Sequence, residues 1–320
     1  MKNFLLVSKL IHPIRISTPF AVGDVFSYLI TDQKNVLVDC GYNDKKSLSI
    51  ISNHLEERDL SLKDIDEIWL THGHPDHFGL AAKLADHSGA VIYGHPKERA
   101  NFAGNDDREL FQAFFKEHGI PDHFTEMMIA QLEWLQQFQQ PVEPEWIEHN
   151  DELSSGRLKV KVKHTTGHAP GHIAFHSDDG VIFGGDLLLE HISTNALINF
   201  DPDTGLRNKS LLQYRKSLQW IREQKGTVFP GHGKIIKNSA AVANHHLKEH
   251  KKRFEKIQQL LRKEPLGLME ISQKIFPDAI KKGAIFLVLS EVMGYLDWGE
   301  EEKTIEGERI NGNFKFKKPG

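Results

Sequence analysis

The sequence has little of what marks a secreted, membrane-spanning or nucleic-acid-binding protein. Its 320 residues include one cysteine, Cys40, which excludes an internal disulfide framework and favours a reducing compartment. No run approaches the roughly 18 apolar residues of a membrane-spanning helix, and the apolar run near the N-terminus is too short for a signal peptide. The formal net charge of −4 provides no general attraction to nucleic acid. We therefore expect a cytoplasmic protein without a membrane span.

The composition and the early hydrophobic pattern indicate an α/β protein. Hydrophobic residues make up 39% and charged residues 26% of the chain, values typical of a globular protein with one large or two modest domains. Residues 10–16, 24–30 and 35–39 alternate in the manner of strands. A helix is predicted at about 44–58, before further strands at 65–70 and 91–93. This order predicts an alternating βα arrangement.

One short segment after the strand at 65–70 concentrates metal-binding side chains: His72, His74, Asp76 and His77. In an extended segment residues two apart face the same way, so His72 and His74 can bind one ion while Asp76 and His77, redirected by Pro75, face another. A lone histidine is more often a surface or capping residue, but four ligands in six positions favour a metal site. Imidazole and carboxylate ligands without thiolate suit Zn, Fe or Mn.

Later strands end in the same kind of side chain. The predicted strand at 158–162 leads to His168 and His172, and two further apolar strands end at Asp186 and His232. Asp39 follows directly after the apolar residues 36–38. It either caps a turn there or orients the loop that carries the ligand candidates 72–77. His172 is interpreted as an outer hydrogen-bonding partner, a substrate contact or a packing residue. Such repetition indicates a chemical function.

The ordered set of these residues resembles the metallo-β-lactamase superfamily, over roughly residues 10–243. The resemblance implies an α/β fold, a four-layer αββα sandwich with the site at one edge of the paired sheets, within a catalytic domain spanning 1–243. It also implies that two metal ions are bound by two groups of three ligands and one bridging residue. The implied ligands are His72, His74 and His168 for one ion, Asp76, His77 and His232 for the other, and Asp186 between them.

Two departures narrow the resemblance. True lactamases of this fold lack the bridging aspartate, whereas this chain has Asp186. One group of true lactamases uses a cysteine as a metal ligand, whereas Cys40 of this chain does not occupy a ligand position. The pattern is therefore more similar to glyoxalase II, the lactonases and the RNA-processing branch.

Residues 244–320 differ in composition and predict a second, winged-helix-like domain. Helices are expected at 247–263, 268–276 and 285–296, followed by a hairpin at 304–318 that turns about 311–313. This order resembles the C-terminal module of the lactamase-beta-2-like branch, which includes an RNA-cutting nuclease. Aromatic residues alternate with lysines at 314–318, as on some nucleic-acid-binding surfaces, but nearby glutamates make packing or a dimer contact the favoured alternative.

A helical insert is predicted at about 97–145. Its two amphipathic helices carry aromatic and methionine side chains that either pack in the core or form a lid lining a substrate pocket. These side chains are Phe111, Phe114, Phe115, Phe124, Met128 and Leu135.

Together these features predict a binuclear metal-dependent hydrolase. Two divalent ions, Zn or alternatively Fe or Mn, would make a bridging hydroxide available at neutral pH. This metal-bound water is the expected nucleophile, and Asp76 and Asp186 are the expected catalytic carboxylates. The expected substrate is a small-molecule thioester, ester or lactone. The alternative is a phosphodiesterase acting on RNA, so nucleic acid is the less favoured partner. A homodimer is compatible with the sequence.

Overall fold

Two β-sheets pack face to face at the centre of the computed structural model, which describes residues 2–105, 107–310 and 313–320. The first sheet has six strands in chain order, antiparallel from β1 to β3 and parallel from β3 to β6. They are β1 (Ile11–Ile16), β2 (Val25–Thr31), β3 (Asn35–Val38), β4 (Glu67–Trp69), β5 (Val91–Gly94) and β6 (Glu145–Trp146).

The second sheet has five strands in the order β11-β10-β9-β8-β7, with only the β10–β11 pair parallel. They are β7 (Glu152–Ser154), β8 (Lys159–His164), β9 (Ile173–His176), β10 (Val181–Gly185) and β11 (Thr227–Pro230). Helices of the first 230 residues cover the outer faces and form the insert. They are α1 (Lys2–Val7), α2 (Lys45–Glu56), α3 (Pro75–Phe78), α4 (Ala81–Ser88), α5 (Arg99–Phe102), α6 (Arg108–Glu117), α7 (Asp122–Gln136) and α8 (Ser210–Glu223).

Alternation along the strands explains the layers. Val36 and Val38 of β3 lie in the core between the sheets together with Phe183 of β10. Leu37 and Ile182, one position away on the same strands, lie instead in the two outer cores beneath the helices. Successive strand residues point to opposite faces, so each sheet contributes to two cores. The predicted αββα architecture is confirmed.

Three aromatic side chains of helix α6 in the insert belong to the core. Phe111, Phe114 and Phe115 are 8%, 7% and 1% exposed. The ring of Phe111 contacts Phe200 and Phe286 edge to face, at centroid distances of 5.2 and 5.5 Å. These rings therefore correspond to the core-packing alternative and not to the lid alternative.

The C-terminal region is helical and ends in a two-stranded hairpin. It comprises α9 (Ser239–Leu261), α10 (Leu268–Ile275), α11 (Pro277–Lys281), α12 (Ile285–Glu301), β12 (Glu306–Ile310) and β13 (Asn313–Lys317). The predicted boundary between residues 243 and 244 falls inside α9, which packs against α8 and α12. Two residues of the predicted turn, Asn311 and Gly312, lie outside the described residues. The division into two domains and the winged-helix assignment remain predictions.

Among the helices of the described residues, none is both long and apolar enough to cross a membrane.

Candidate metal centre

The ligand-rich segment lies between β4 and α3, where the backbone changes from extended to helical. His74 is extended (φ −85°, ψ 144°) and immediately precedes α3, which begins at Pro75. Proline suits the first helical position because its φ is already helical and its missing N–H would have no helical partner there. Asp76 and His77 therefore lie in a helical turn and project differently from His72 and His74.

Three histidines converge on one side of the site. His72 Nε2 is 3.0 Å from His74 Nδ1, which is 2.9 Å from His168 Nε2. The other ring nitrogen of His168, Nδ1, donates a hydrogen bond to Asn195 O at 2.9 Å. Since a neutral imidazole has one N–H, this bond leaves the Nε2 lone pair of His168 facing the group. His72, His74 and His168 form a possible metal-binding group.

Asp76, His77 and His232 form a second possible metal-binding group. His232 Nε2 is 3.3 Å from Asp76 Oδ2, and His77 Nε2 is 4.0 Å from the same oxygen. His232 Nδ1 donates to Asp24 O at 2.8 Å. The Nε2 atoms of His77 and His232 are buried and have no hydrogen-bond partner within the described part of the chain.

Asp186 lies between the two groups. Its Oδ1 is 3.5 Å from His77 Nε2 and 3.7 Å from His232 Nε2, and its Oδ2 is 3.5 Å from His168 Nε2. One carboxylate oxygen therefore faces each group. The structure places this side chain where a bridging ligand is expected, and Oδ1 is buried without a hydrogen-bond partner among the described residues.

Asp39 orients one of the ligand candidates. Its Oδ1 accepts the Thr71 N–H, and its Oδ2 accepts hydrogen bonds from the Thr71 hydroxyl and His77 Nδ1, each at 2.8 Å. The bond to Nδ1 directs the free Nε2 of His77 towards Asp186. This arrangement corresponds to the orienting role, in which a carboxylate fixes the tautomer of a ligand histidine.

His172 supports the backbone of Asp186. Its Nε2 accepts the Asp186 N–H at 3.1 Å, so its proton lies on Nδ1, which donates to Thr165 Oγ1 at 2.8 Å. The residue is fully buried and both of its ring nitrogens have partners, an arrangement that corresponds to the outer hydrogen-bonding alternative. Gly185 fits beside it, because a Cβ there would lie 2.6 Å from Thr71 Oγ1 and 2.9 Å from His172 Nε2.

The electrostatics of the site favour added positive charge. Burial, assisted by the neighbouring His168, lowers the pKa of His74 to about 3. Burial also opposes protonation of His77, but the carboxylates of Asp186, Asp76 and Asp39 outweigh it and raise the pKa of His77 to about 10. Three carboxylates in a buried site therefore attract a cation strongly.

The donor set fits divalent metal ions. Imidazole nitrogens and carboxylate oxygens converge in overlapping groups, and the three unpartnered buried atoms of His77, Asp186 and His232 point into the same space. Such atoms are costly to bury unless a partner is bound. Zn, Fe and Mn accept this combination of nitrogen and oxygen ligands.

The backbone atoms that orient His168 and His232 were not predictable, because the carbonyls of Asn195 and Asp24 carry no side-chain signature. The C-terminal helices hold the segment that contains Asn195. Ser290 Oγ on α12 accepts the Ile198 N–H at 3.0 Å, and His250 Nε2 on α9 is 3.1 Å from Ser193 Oγ. The C-terminal region therefore supports one edge of the site.

The geometry agrees with the family comparison. A model of the metallo-beta-lactamase superfamily matches residues 21–232, a range that contains every predicted site residue. The chain belongs to the metallo-beta-lactamase superfamily. It is 31% identical to "Probable metallo-hydrolase YqjP" of Bacillus subtilis, over 91% of this chain and 92% of that protein. It is 29% identical to the hydroxyacylglutathione hydrolase GloC of Haemophilus influenzae, over 51% of this chain and 66% of that protein. Both relatives are named as hydrolases. With the family match, these names show that the protein is a metal-dependent hydrolase.

Solved structures show that the likeness extends into the C-terminal region. The metallo-beta-lactamase family protein TTHA1429 of Thermus thermophilus aligns with a TM-score of 0.83 at 23% identity, over 97% of this chain and 99% of that one. A beta-lactamase domain protein of Burkholderia ambifaria aligns with a TM-score of 0.82 at 21% identity, over 97% and 92%. At these identities the comparison establishes the fold alone.

Proposed function

We propose that the protein is a binuclear metal-dependent hydrolase of small-molecule thioesters, esters or lactones. The observation that carries the proposal is the position of Asp186, whose two carboxylate oxygens face two different groups of ligand candidates. A single-ion site would not require a carboxylate between two groups. Zinc is the proposed metal, with iron or manganese as alternatives, and the cytoplasm is the proposed location.

The seven side chains have distinct tasks in this proposal. One ion would be held by His72, His74 and His168 and the other by Asp76, His77 and His232, and Asp186, which faces both groups, would help to hold both. When bound, divalent ions at these positions would lower the pKa of water towards neutrality and polarise an acyl carbonyl oxygen.

The protein fixes the Nδ1 proton on three ligand rings. Hydrogen bonds to Asp39, Asn195 O and Asp24 O hold the Nδ1 protons of His77, His168 and His232, respectively. Each ring, once neutral, therefore presents its Nε2 lone pair to the site, and a bound cation takes the place of the second proton of His77. Fixing the tautomer in advance avoids a reorganisation cost when the site is loaded.

An acyl substrate is supported by two observations. The name of the Haemophilus influenzae relative describes hydrolysis of a hydroxyacylglutathione, and this chain has a net charge of −4, which does not attract polyanions. We propose a neutral or weakly charged acyl compound as the substrate, which is also the proposed small-molecule partner.

The RNA alternative is not favoured, because the features that suggested it are occupied within the fold. Lys317 pairs with Glu306 and Glu308, and Lys315 pairs with Glu270. Phe316 is fully buried, so its ring is not exposed for stacking on a base. The hairpin therefore presents neither free cations at these lysines nor an exposed Phe316.

A substrate panel tests the proposal. Metal-replete protein would be assayed with acyl-thioesters, lactones, bis(p-nitrophenyl)phosphate and a labelled RNA, with Asp186→Asn as the control for contaminating hydrolases. We expect hydrolysis of an acyl compound that requires both metal and Asp186, at a kcat/KM well above that for either phosphodiester. Metal-dependent cleavage of RNA with no acyl hydrolysis would contradict the proposal.

A further inference from the structure

One buried carboxylate outside the predicted ligand set connects the two loops that carry the three-histidine group. Glu98, which immediately precedes α5, is 0% exposed. Its Oε2 accepts the Gly73 N–H at 3.1 Å, and its Oε1 accepts the Gly171 N–H at 2.6 Å. Asn101 Nδ2 donates to the same Oε2 at 2.7 Å and fixes the carboxylate. Both oxygens of Glu98 are therefore engaged.

The two glycines are shaped to receive this side chain. A Cβ at Gly73 would lie 2.7 Å from Glu98 Oε2 and 2.6 Å from Asn101 Cβ, and a Cβ at Gly171 would lie 2.8 Å from Glu98 Cγ. Neither glycine has the positive φ that would itself call for glycine. Close approach of Glu98 and Asn101 is therefore the physical reason for glycine at these positions.

The linked loops come from different sheets. Gly73 lies between His72 and His74 on the loop after β4, whereas Gly171 lies three residues after His168 on the loop between β8 and β9. Movement of one sheet edge relative to the other would separate these histidines. Two hydrogen bonds to one buried carboxylate resist that movement.

We propose that Glu98 is a positioning residue for the ion held by His72, His74 and His168, an inference that rests on the proposed metal centre. It acts through the backbone of the two ligand loops and does not bind the ion. The second group has its own support, because Asp39 orients His77 and Asp24 O orients His232. Asp39 contacts the His77 ring directly and reaches His72 only through Thr71, so Glu98 is the main support of one ion and Asp39 of the other.

The variant Glu98→Gln preserves size but removes one acceptor. An amide has a single carbonyl oxygen, so its NH₂ group must face the N–H of either Gly73 or Gly171, and one buried donor loses its partner. Removal of an outer hydrogen-bonding partner typically weakens metal binding by about 10–100-fold. We expect this loss for one ion, while the other binds within about threefold of the wild type.

The experiment measures zinc affinity and stoichiometry by competition with a chromophoric chelator, alongside circular dichroism of the metal-free proteins. Glu126→Gln, at an exposed position on α7, is the matched control and should bind as the wild type does. Glu98→Gln and Asp39→Asn should each weaken a different ion. At a zinc concentration where each single variant retains one ion, the double variant should retain none.

Retention of one ion by the double variant would overturn the proposal, because both changes would then act on the same ion. Two ions bound by Glu98→Gln with wild-type affinity would overturn it as well, without affecting the proposed function. Failure of the wild type to bind zinc, iron or manganese would instead overturn the metal centre itself.

If Glu98→Gln does not fold, Asn101→Ala provides the second test. It removes only the side-chain donor that fixes the carboxylate, so zinc affinity should fall in the same direction by a smaller factor. Unchanged affinity in Asn101→Ala would then count against the proposal.

Discussion

Replacing Asp39 by asparagine tests whether this carboxylate orients the ligand candidate His77, because Asp39 is not itself a ligand candidate. Asp39 accepts three hydrogen bonds, two from Thr71 and one from His77. Asparagine offers one acceptor oxygen and one NH₂ group. If the oxygen replaces Oδ2, the NH₂ group faces the Thr71 N–H. If it replaces Oδ1, the NH₂ group faces His77 Nδ1 and favours the tautomer whose proton points into the site.

The magnitude follows from the bonds that are lost. A hydrogen bond to a charged acceptor contributes about 1.5–3 kcal/mol, so loss of one such bond should destabilise the metal-free protein by a similar amount. Loss of the His77 orientation should weaken metal binding by about 10–100-fold, equivalent to about 1.4–2.8 kcal/mol.

Asp59→Asn is the matched control, because Asp39 and Asp59 share a left-handed backbone, with φ of 53° and 57°. Asparagine tolerates that conformation, and Asp59 is exposed. Urea denaturation and zinc competition should therefore show little change in Asp59→Asn and both losses in Asp39→Asn. Wild-type stability together with wild-type zinc affinity in Asp39→Asn would refute the orienting role.

The remaining predictions concern four other residues. Asp186→Asn should lose one metal ion and at least about 10²-fold in kcat/KM, and His172→Ala should lose less, as elemental analysis and kinetics would show. Burial and the charges of two nearby arginines lower the pKa of His250 to about 3 in the folded protein. On acidification, His250 is therefore protonated in the unfolded state at a higher pH than in the folded state. His250 alone should therefore lower the stability of the metal-free protein by up to about 1.4 kcal/mol per pH unit as the pH falls below about 6.5, and urea denaturation should show a shallower fall in His250→Gln. Phe115→Ala should cost about 3–5 kcal/mol of stability while leaving acyl chain-length selectivity unchanged, whereas altered selectivity would restore the lid interpretation.

The ligand candidates were predictable because they depend on local chain geometry. His72, His74, Asp76 and His77 follow a strand within six positions, and the change to helix at Pro75 divides them into two pairs. The more distant members could be placed only through the family resemblance, since nothing in local spacing brings Asp186 to them.

Residues that act through backbone atoms were not predictable. Glu98 is a single glutamate before a short helix, and its partners are the N–H groups of Gly73 and Gly171. Main-chain donors and acceptors are the same at every position, so a sequence does not show which of them a distant side chain will reach. The same reason applies to Asn195 O and Asp24 O.

The insert shows a different limit of sequence reasoning. Helical spacing correctly predicted α6 and α7 and showed that Phe111, Phe114 and Phe115 form an apolar stripe. A stripe does not identify what covers it. Here the C-terminal helices cover it, as the contact between Phe111 and Phe286 shows, so tertiary packing decided between core and pocket.

Metal stoichiometry distinguishes a binuclear centre from a single-ion site. Protein saturated with zinc and freed of excess metal by gel filtration would be analysed for metal and for protein by amino-acid analysis. We predict two ions per chain for the wild type, because the two carboxylate oxygens of Asp186 face two different ligand groups. A stoichiometry of one or none in folded, zinc-saturated protein would contradict the account.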